Sequence, residues 1–199
     1  MLSRTASLIL MLAFSATANA QGVGLPDQLV AKARMQVGVT TLYDPAYVGL
    51  EYPMGDIDRE RGVCSDVVIR ALRDSYSIDL QQLVHEDMQA NFSSYPTIWN
   101  LKRTDKNIDH RRVPNLERFF ERKGMSKPAI RDRESFLAGD IVSWRLPGNL
   151  PHIGIVSDRK AEDGTPLIIH NIGAGAREEN ILFTYQMTGH YRPALDLLK

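Results

Sequence analysis

The chain has 199 residues with 24 basic and 24 acidic side chains, so its formal net charge is zero. Because this balance produces no global field, we expect neither nucleic acid nor an anionic membrane surface as a partner. A single cysteine cannot form a disulfide within the molecule, which excludes a disulfide-stabilised scaffold and leaves packing as the source of stability.

The first twenty residues predict a secretory signal peptide. Arg4 provides a short basic region, residues 8–14 are apolar, and residues 18–20 (Ala-Asn-Ala) form a small-x-small cleavage site. The apolar run is shorter than the roughly 20 residues that span a bilayer, so no membrane span is predicted. We therefore expect residues 21–199 to form one exported domain, which we place in the periplasm. A retained N-terminal anchor is the weaker alternative.

Apolar residues at helical spacing predict four helices. They are expected over 26–37, 64–75, 80–92 and 114–124, with proline and glycine marking their ends. Residues 40–62 are rich in Pro, Gly and charge and predict an irregular loop that leads to the cysteine. A loop of this length within a compact domain is usually functional.

The last third of the chain predicts an antiparallel sheet. Segments rich in β-branched and aromatic residues lie at 139–145, 152–158, 167–171 and 183–192, separated by Pro, Gly and Asn. The Asp-Gly pair within 158–166 favours a hairpin connection. Helices followed by strands predict an α+β fold with the N-terminal helices packed on the C-terminal sheet.

Cys64 stands at the start of an amphipathic helix, in the stretch GVCSDVVIRALR. A helix N-terminus favours the thiolate, so we expect a lowered pKa of the thiol. The backbone N–H groups of Cys64 and Ser65 are expected to bind the oxyanion that develops on an attacked carbonyl. A buried structural thiol is the alternative, because free cysteine is among the most buried residue types.

A catalytic thiol also needs a base, and two of the five histidines are placed to supply one. His152 begins one predicted strand and His170 lies at the end of the next, so a hairpin would bring both imidazoles to one end of the sheet. Strand alternation allows only one of His170 and Asn171 to face the site, and we favour His170.

These motifs, a cysteine at a helix start followed by GDIVSW, HIGIVSD and IIHN, resemble the NlpC-type papain-like cell-wall peptidases. The resemblance implies a papain-like fold in which Cys64 is the nucleophile, His152 the base and His170 the residue that orients it. It also implies that Tyr52 and Gly55, twelve and nine positions before the cysteine, line the active site.

The chain departs from that family in two places. Val63 precedes the cysteine and Ser65-Asp66 follows it, where the family has Asp before and Ser-Gly after, so contacts of that Asp are not transferred. Residues from about 80 to 135 form a helical insertion that the minimal fold lacks. Across nearly the whole mature chain, YPMGDIDRERGVCSDVVIRALR, VHEDM, NIDHRRVPNL and GHYR resemble an exported bacterial family designated as a domain of unknown function, DUF 1287.

Polar residues of the insertion form a further candidate site. Asp109, His110 and Arg111 are interpreted as a site for an anionic group of the substrate, or as hydrogen-bonded structure near the cleft. His85 and Asp87 suggest zinc, but HEDM lacks the second histidine of a zinc-binding helix, and no metal is assigned. No phosphate-binding glycine motif occurs, and no cofactor is expected.

The sequence thus predicts an exported cysteine hydrolase, an amidase or endopeptidase, that cleaves an amide bond in the peptide part of peptidoglycan. One alternative is that the same thiol acts on a lipid ester or an isopeptide, as a hydrolase or an acyltransferase. A non-catalytic wall-binding module with a decayed site is another, and zinc-dependent hydrolysis is a third.

Overall fold

A computed structural model describes residues 25–198, so the predicted signal peptide lies outside the described residues. The helices are α1 (Leu25–Arg34), α2 (Cys64–Tyr76), α3 (Leu80–Ala90) and α4 (Val113–Arg122). The strands are β1 (Leu42–Tyr43), β2 (Arg61–Gly62), β3 (Ile141–Leu146), β4 (Leu150–Lys160), β5 (Pro166–Asn171), β6 (Ala176–Glu179) and β7 (Gln186–Tyr191). Within this range no helix has the length and apolar character that crossing a membrane requires.

Five strands form one antiparallel sheet in the order β6-β5-β4-β3-β7. The hairpin predicted over 158–166 is confirmed, because β4 and β5 pair directly on either side of it. The last strand, β7, returns to pair with β3 at the far edge. The α+β prediction is confirmed by this sheet and the four helices.

The main core lies between α2 and one face of the sheet. Val67 and Leu72 of α2 are fully buried in one apolar cluster with Ile153, Ile155 and Ile169 of the central strands. These strand residues share a face because side chains alternate along β4 and β5. The packing holds the N-terminus of α2 against the start of β4.

The opposite face of the sheet has a smaller apolar cluster. Trp144, Val156 and Ile168 are fully buried there and are covered by residues of the segment before β7, such as Leu182. The sheet is therefore buried on both faces, and its central strands lie in a dry environment.

The helical insertion predicted over 80–135 contains α3, α4 and a short 3-10 turn, Asp109–Arg111. This turn packs against α2, α3 and α4. Phe120 of α4 packs on Tyr191 of β7, with ring centroids 5.4 Å apart. The insertion thereby borders the same end of α2 that carries Cys64.

Candidate active site

Cys64 is the first residue of α2, and local hydrogen bonds hold that helix end in place. The backbone N–H of extended Val63 donates to Asp66 Oδ2 at 2.7 Å, which is one half of a capping box. Ser65 Oγ donates to the carbonyl of Arg111 at 2.7 Å. The side chain of Ser65 therefore ties the helix tip to the 109–111 turn, while its backbone N–H stays beside the cysteine.

The segment before the cysteine is attached to the sheet. Asn171 Nδ2 donates to the carbonyl of Gly62 at 3.0 Å, and Gly62 pairs with Tyr43 across the parallel strands β1 and β2. Asn171 is fully buried and faces α2. It thus positions the approach to Cys64 and is not the side chain that bonds to His152.

Three backbone N–H groups lie around the Cys64 sulfur, those of Ile153, Ser65 and Cys64 itself. The residue is only 5% exposed. Burial raises the pKa of the Cys64 thiol to about 12, since the N–H groups only partly oppose the desolvation of a thiolate. The expected lowering of this pKa by the helix N-terminus is therefore wrong, because burial is the larger effect.

His152 is the first of three side chains, His152, His170 and Glu179, that are linked by hydrogen bonds. His152 Nε2 lies 3.1 Å from His170 Nδ1, and His170 Nε2 lies 3.0 Å from Glu179 Oε2. Burial lowers the pKa of His152 to about 3, with a smaller contribution from His170. Burial also lowers the pKa of His170, against the opposing charge of Glu179. Both imidazoles are therefore neutral at pH 7.

Trp144 shields the His152 ring from water. It lies directly opposite His152 in the β3–β4 ladder, and the two ring centroids are 5.8 Å apart with a 34° tilt. Trp144 is fully buried and its indole N–H donates to the carbonyl of Leu182 at 3.0 Å. The ring of His152 thus packs on the Trp144 side of the sheet.

The Cys64 sulfur contacts β4 through a backbone N–H group and not through an imidazole. The N–H that faces the Cys64 sulfur belongs to Ile153, the residue after His152. Within residues 25–198 no hydrogen bond joins the thiol to an imidazole. Because His152 Nε2 is bonded to His170, Nδ1 is the ring nitrogen of His152 that has no side-chain partner among the described residues.

A cleft of roughly 200 Å³ opens beside the sulfur. Its aromatic lining comes from Tyr43, which is 41% exposed, and from Trp99 of the insertion, whose ring carries the Arg112 guanidinium at 4.3 Å. The other lining residues are Pro45, Val63, Ile108, Arg111, Val113, Pro114 and Pro151. A second cavity of roughly 330 Å³ lies next to the first, since Pro114 and Pro151 line both.

Tyr52 and Gly55, which the sequence placed in the active site, lie elsewhere. Tyr52 packs edge-on against His85, with ring centroids 5.4 Å apart. The carbonyl of Gly55 accepts a hydrogen bond at 2.8 Å from Arg73, nine residues after Cys64 and so about 13 Å along α2. The loop packs along the helix rather than at its tip.

The 109–111 turn is structural. Asp109 accepts the N–H of Asp105 and pairs with Arg112, while Arg111 forms a buried ion pair with Asp66 at 2.9 Å. Burial lowers the pKa of His110, which is 2% exposed, to about 3. Of Asp109, His110 and Arg111, only Arg111 lines the cleft. Its guanidinium is already paired with Asp66, so the predicted anion site at these three residues is not formed.

The zinc alternative has no support in the geometry. Among residues 25–198, no three His, Cys, Asp or Glu side chains are grouped in a way that holds a metal ion. Asp87 instead binds Arg122 at 2.7 Å and Tyr95 at 2.6 Å.

Trp144, Glu179 and Tyr43 are among the residues of the site that were not predicted from the sequence. The sequence could have pointed to Trp144, because it lies in GDIVSW, one of the motifs that carried the family resemblance. Glu179 belongs to β6, whose sequence AREE has no apolar alternation to mark a strand. Tyr43 reaches the cleft because β1 pairs with β2. A strand of two residues leaves no recognisable pattern in the sequence.

A cysteine begins a helix that packs on an antiparallel sheet, and two adjacent strands of that sheet carry hydrogen-bonded histidines, so the protein is of the α+β class. The chain belongs to the family Domain of unknown function (DUF1287), whose model matches residues 30–193, and the family predicted from the motifs is confirmed.

Two proteins are similar to this chain. The Escherichia coli (strain K12) protein "Uncharacterized protein YijF" is 64% identical over 160 residues, which cover 80% of this chain and 78% of that protein. The structure of NlpC1 from Trichomonas vaginalis is similar over 87% of this chain, with 14% identity and a TM-score of 0.47. The match spans 46% of the NlpC1 chain.

Proposed function

We propose that the protein is a cysteine hydrolase that cleaves an amide bond. The observation that carries this proposal is the position of the Cys64 sulfur, which lies beneath three backbone N–H groups, one of them from the residue that follows His152. A nucleophile, oxyanion donors and an imidazole base are the groups that acyl transfer requires.

In the proposed cycle the resting thiol and imidazole are both neutral. His152 Nδ1 accepts the thiol proton as the sulfur attacks the carbonyl carbon, and the backbone N–H groups of Cys64 and Ser65 hold the oxyanion. Collapse of this intermediate breaks the C–N bond, and His152 returns the proton to the leaving amine. Water, deprotonated by His152, then hydrolyses the thioester to a carboxylate and restores the thiol.

In this proposal the thiol and His152 come together only in the substrate complex, because the His152 ring packs on the Trp144 side of the sheet in the resting protein. Hydrogen bonds between catalytic groups are often long or poorly aligned without substrate and tighten when it binds.

We further propose that the substrate is the peptide part of peptidoglycan and that the protein acts in the periplasm. The signal-like N-terminus and the resemblance to NlpC-type cell-wall peptidases support this assignment. The two adjacent cavities would seat neighbouring parts of an extended peptide.

One observation favours a second candidate, a non-catalytic wall-binding module. The Cys64 sulfur is buried, with a raised pKa, and lacks a hydrogen bond to an imidazole. A structural thiol would have these same properties.

The two candidates are separated by expressing wild type and Cys64→Ala in the periplasm and comparing muropeptides from purified sacculi. The hydrolase proposal predicts new peptide fragments with wild type alone. Identical muropeptides from both strains and from the empty-vector strain would favour the binding module.

A further inference from the structure

We propose that Glu179 is a positioning residue that sets the tautomers of His170 and His152, leaving Nδ1 of His152 unprotonated for proton transfer. The catalytic meaning of this inference rests on the proposed hydrolase function. The tautomers themselves are a property of the resting protein and can be tested without any substrate.

Three side chains on neighbouring strands are joined in series by hydrogen bonds. Glu179 of β6 contacts His170 of β5, which contacts His152 of β4, with distances of 3.0 and 3.1 Å between the bonded atoms. His170 is fully buried and His152 is 2% exposed, whereas the Glu179 side chain is 37% exposed. This hydrogen-bonded series therefore begins at a carboxylate in contact with water and ends at a buried imidazole.

The chemistry of the three groups fixes the direction of both hydrogen bonds. An ionised carboxylate only accepts, so His170 must donate from Nε2. A neutral imidazole carries one N–H, so His170 Nδ1 has a lone pair and accepts from Nε2–H of His152. His152 Nδ1 is then a free lone pair, which is the form a general base needs.

Without the carboxylate the His152–His170 contact has no preferred direction. The reversed arrangement, with His170 Nδ1–H donating to His152 Nε2, is equally good for the two rings alone. It would leave His152 Nδ1 protonated and unable to accept the thiol proton. Arg177 Nη1 lies 3.7 Å from Glu179 Oε1, so the carboxylate lies between a cation and the His170 ring.

The test is long-range ¹H–¹⁵N NMR of histidine-labelled full chain near pH 7.5, where each ring nitrogen reports whether it is protonated. Signals of His152 and His170 are assigned from His152→Asn and His170→Asn. Wild type is expected to show Nε2–H at both residues. Glu179→Gln, which loses the charge but keeps the size, is expected to lower the Nε2–H share at both rings together, while the exposed Glu162→Gln changes neither.

Nδ1–H at His152 in wild type, or unchanged tautomers in Glu179→Gln, would overturn the proposal. A circular dichroism spectrum matching wild type shows that Glu179→Gln is folded, and Glu179→Asp provides a second variant that keeps the charge. The hydrolysis assay gives an independent readout. There we expect Glu179→Gln to lower kcat about ten- to a hundredfold with little change in KM, a fraction of what general-base catalysis contributes.

The two proposals fail separately. Predicted tautomers together with no hydrolysis by wild type would remove the hydrolase and leave the positioning role of Glu179. Cys64-dependent hydrolysis together with Nδ1–H at His152 would remove the positioning role and leave the hydrolase.

Discussion

Asp66 in the first turn of α2 and Arg111 in the 109–111 turn form a doubly bonded ion pair with almost no access to solvent. Arg111 Nε and Nη2 lie 3.0 and 2.9 Å from the two carboxylate oxygens, and the side chains are 3% and 5% exposed. Because Asp66 also caps the helix at Val63, this pair joins the insertion to the helix end that carries Cys64.

Arg111→Ala is expected to lower the free energy of unfolding by about 3–5 kcal/mol, since it leaves Asp66 buried without a partner. Arg118→Ala is the matched control. It breaks an exposed pair with Glu121 and should cost at most about 1 kcal/mol. Urea denaturation measures the free energy of unfolding of both variants. Equal, small losses would show that Arg111 has no structural role and is available to bind a ligand in the cleft.

Gly154→Ala is expected to disturb the histidine pair from the middle of β4. A Cβ at this position would lie 2.7 Å from Ile168 Cγ2 and 3.0 Å from His170 Cβ, too close for either to stay in place. Such overpacking costs about 1–3 kcal/mol and should displace His170 from His152. Gly49→Ala, which meets nothing within 4 Å, is the control for thermal unfolding and for the histidine NMR signals.

Acid is expected to destabilise the fold through its buried histidines. Burial lowers the pKa of His110 and of His152 to about 3 and also lowers that of His170, from an ordinary value of 6.5. Below pH 6.5 the unfolded chain therefore binds more protons than the folded one, and stability falls with pH. Each histidine contributes up to about 1.4 kcal/mol per pH unit.

Urea denaturation at pH 7, 6 and 5 measures this slope, and His110→Leu should reduce it by about one proton. A free energy of unfolding that stays level or increases from pH 7 to pH 5 would contradict the neutral, buried state of these imidazoles.

Alkylation of the native thiol by iodoacetamide is expected to be slow at neutral pH, because the raised pKa of Cys64 leaves almost no thiolate. The rate should increase about tenfold per pH unit through pH 9. The urea-unfolded chain, which has an ordinary thiol, is the reference and should react much faster at pH 8. A rapid rate that levels off below pH 7 would instead indicate a thiolate–imidazolium pair at rest.

Helical periodicity predicted the helices well because their caps and apolar faces are local features of the sequence. The helix predicted over 64–75 is found at Cys64–Tyr76, and Pro114 lies in the first turn of α4 as predicted. The strands around His152 and His170 were also predicted, since both are runs of β-branched residues that are buried on both faces of the sheet.

The parts that sequence reasoning missed depend on tertiary contacts. The edge strand β6 is short and charged, as exposed edges tend to be, so Glu179 had no periodic signal. Tyr43 rather than Tyr52 lines the cleft because the 51–58 loop packs along α2. The raised pKa of Cys64 follows from burial by residues distant in the chain, which the position of the cysteine before a helix does not reveal.

The central claim is that Cys64 attacks an amide carbon and that water completes the cleavage. Purified wild type and Cys64→Ala, each incubated with isolated muropeptides in ¹⁸O-labelled water and followed by mass spectrometry, test it directly. A new carboxylate carrying one ¹⁸O atom and a matching free amine are expected with wild type, and neither with Cys64→Ala. Intact muropeptides with both proteins, or the same labelled product with both, would contradict it.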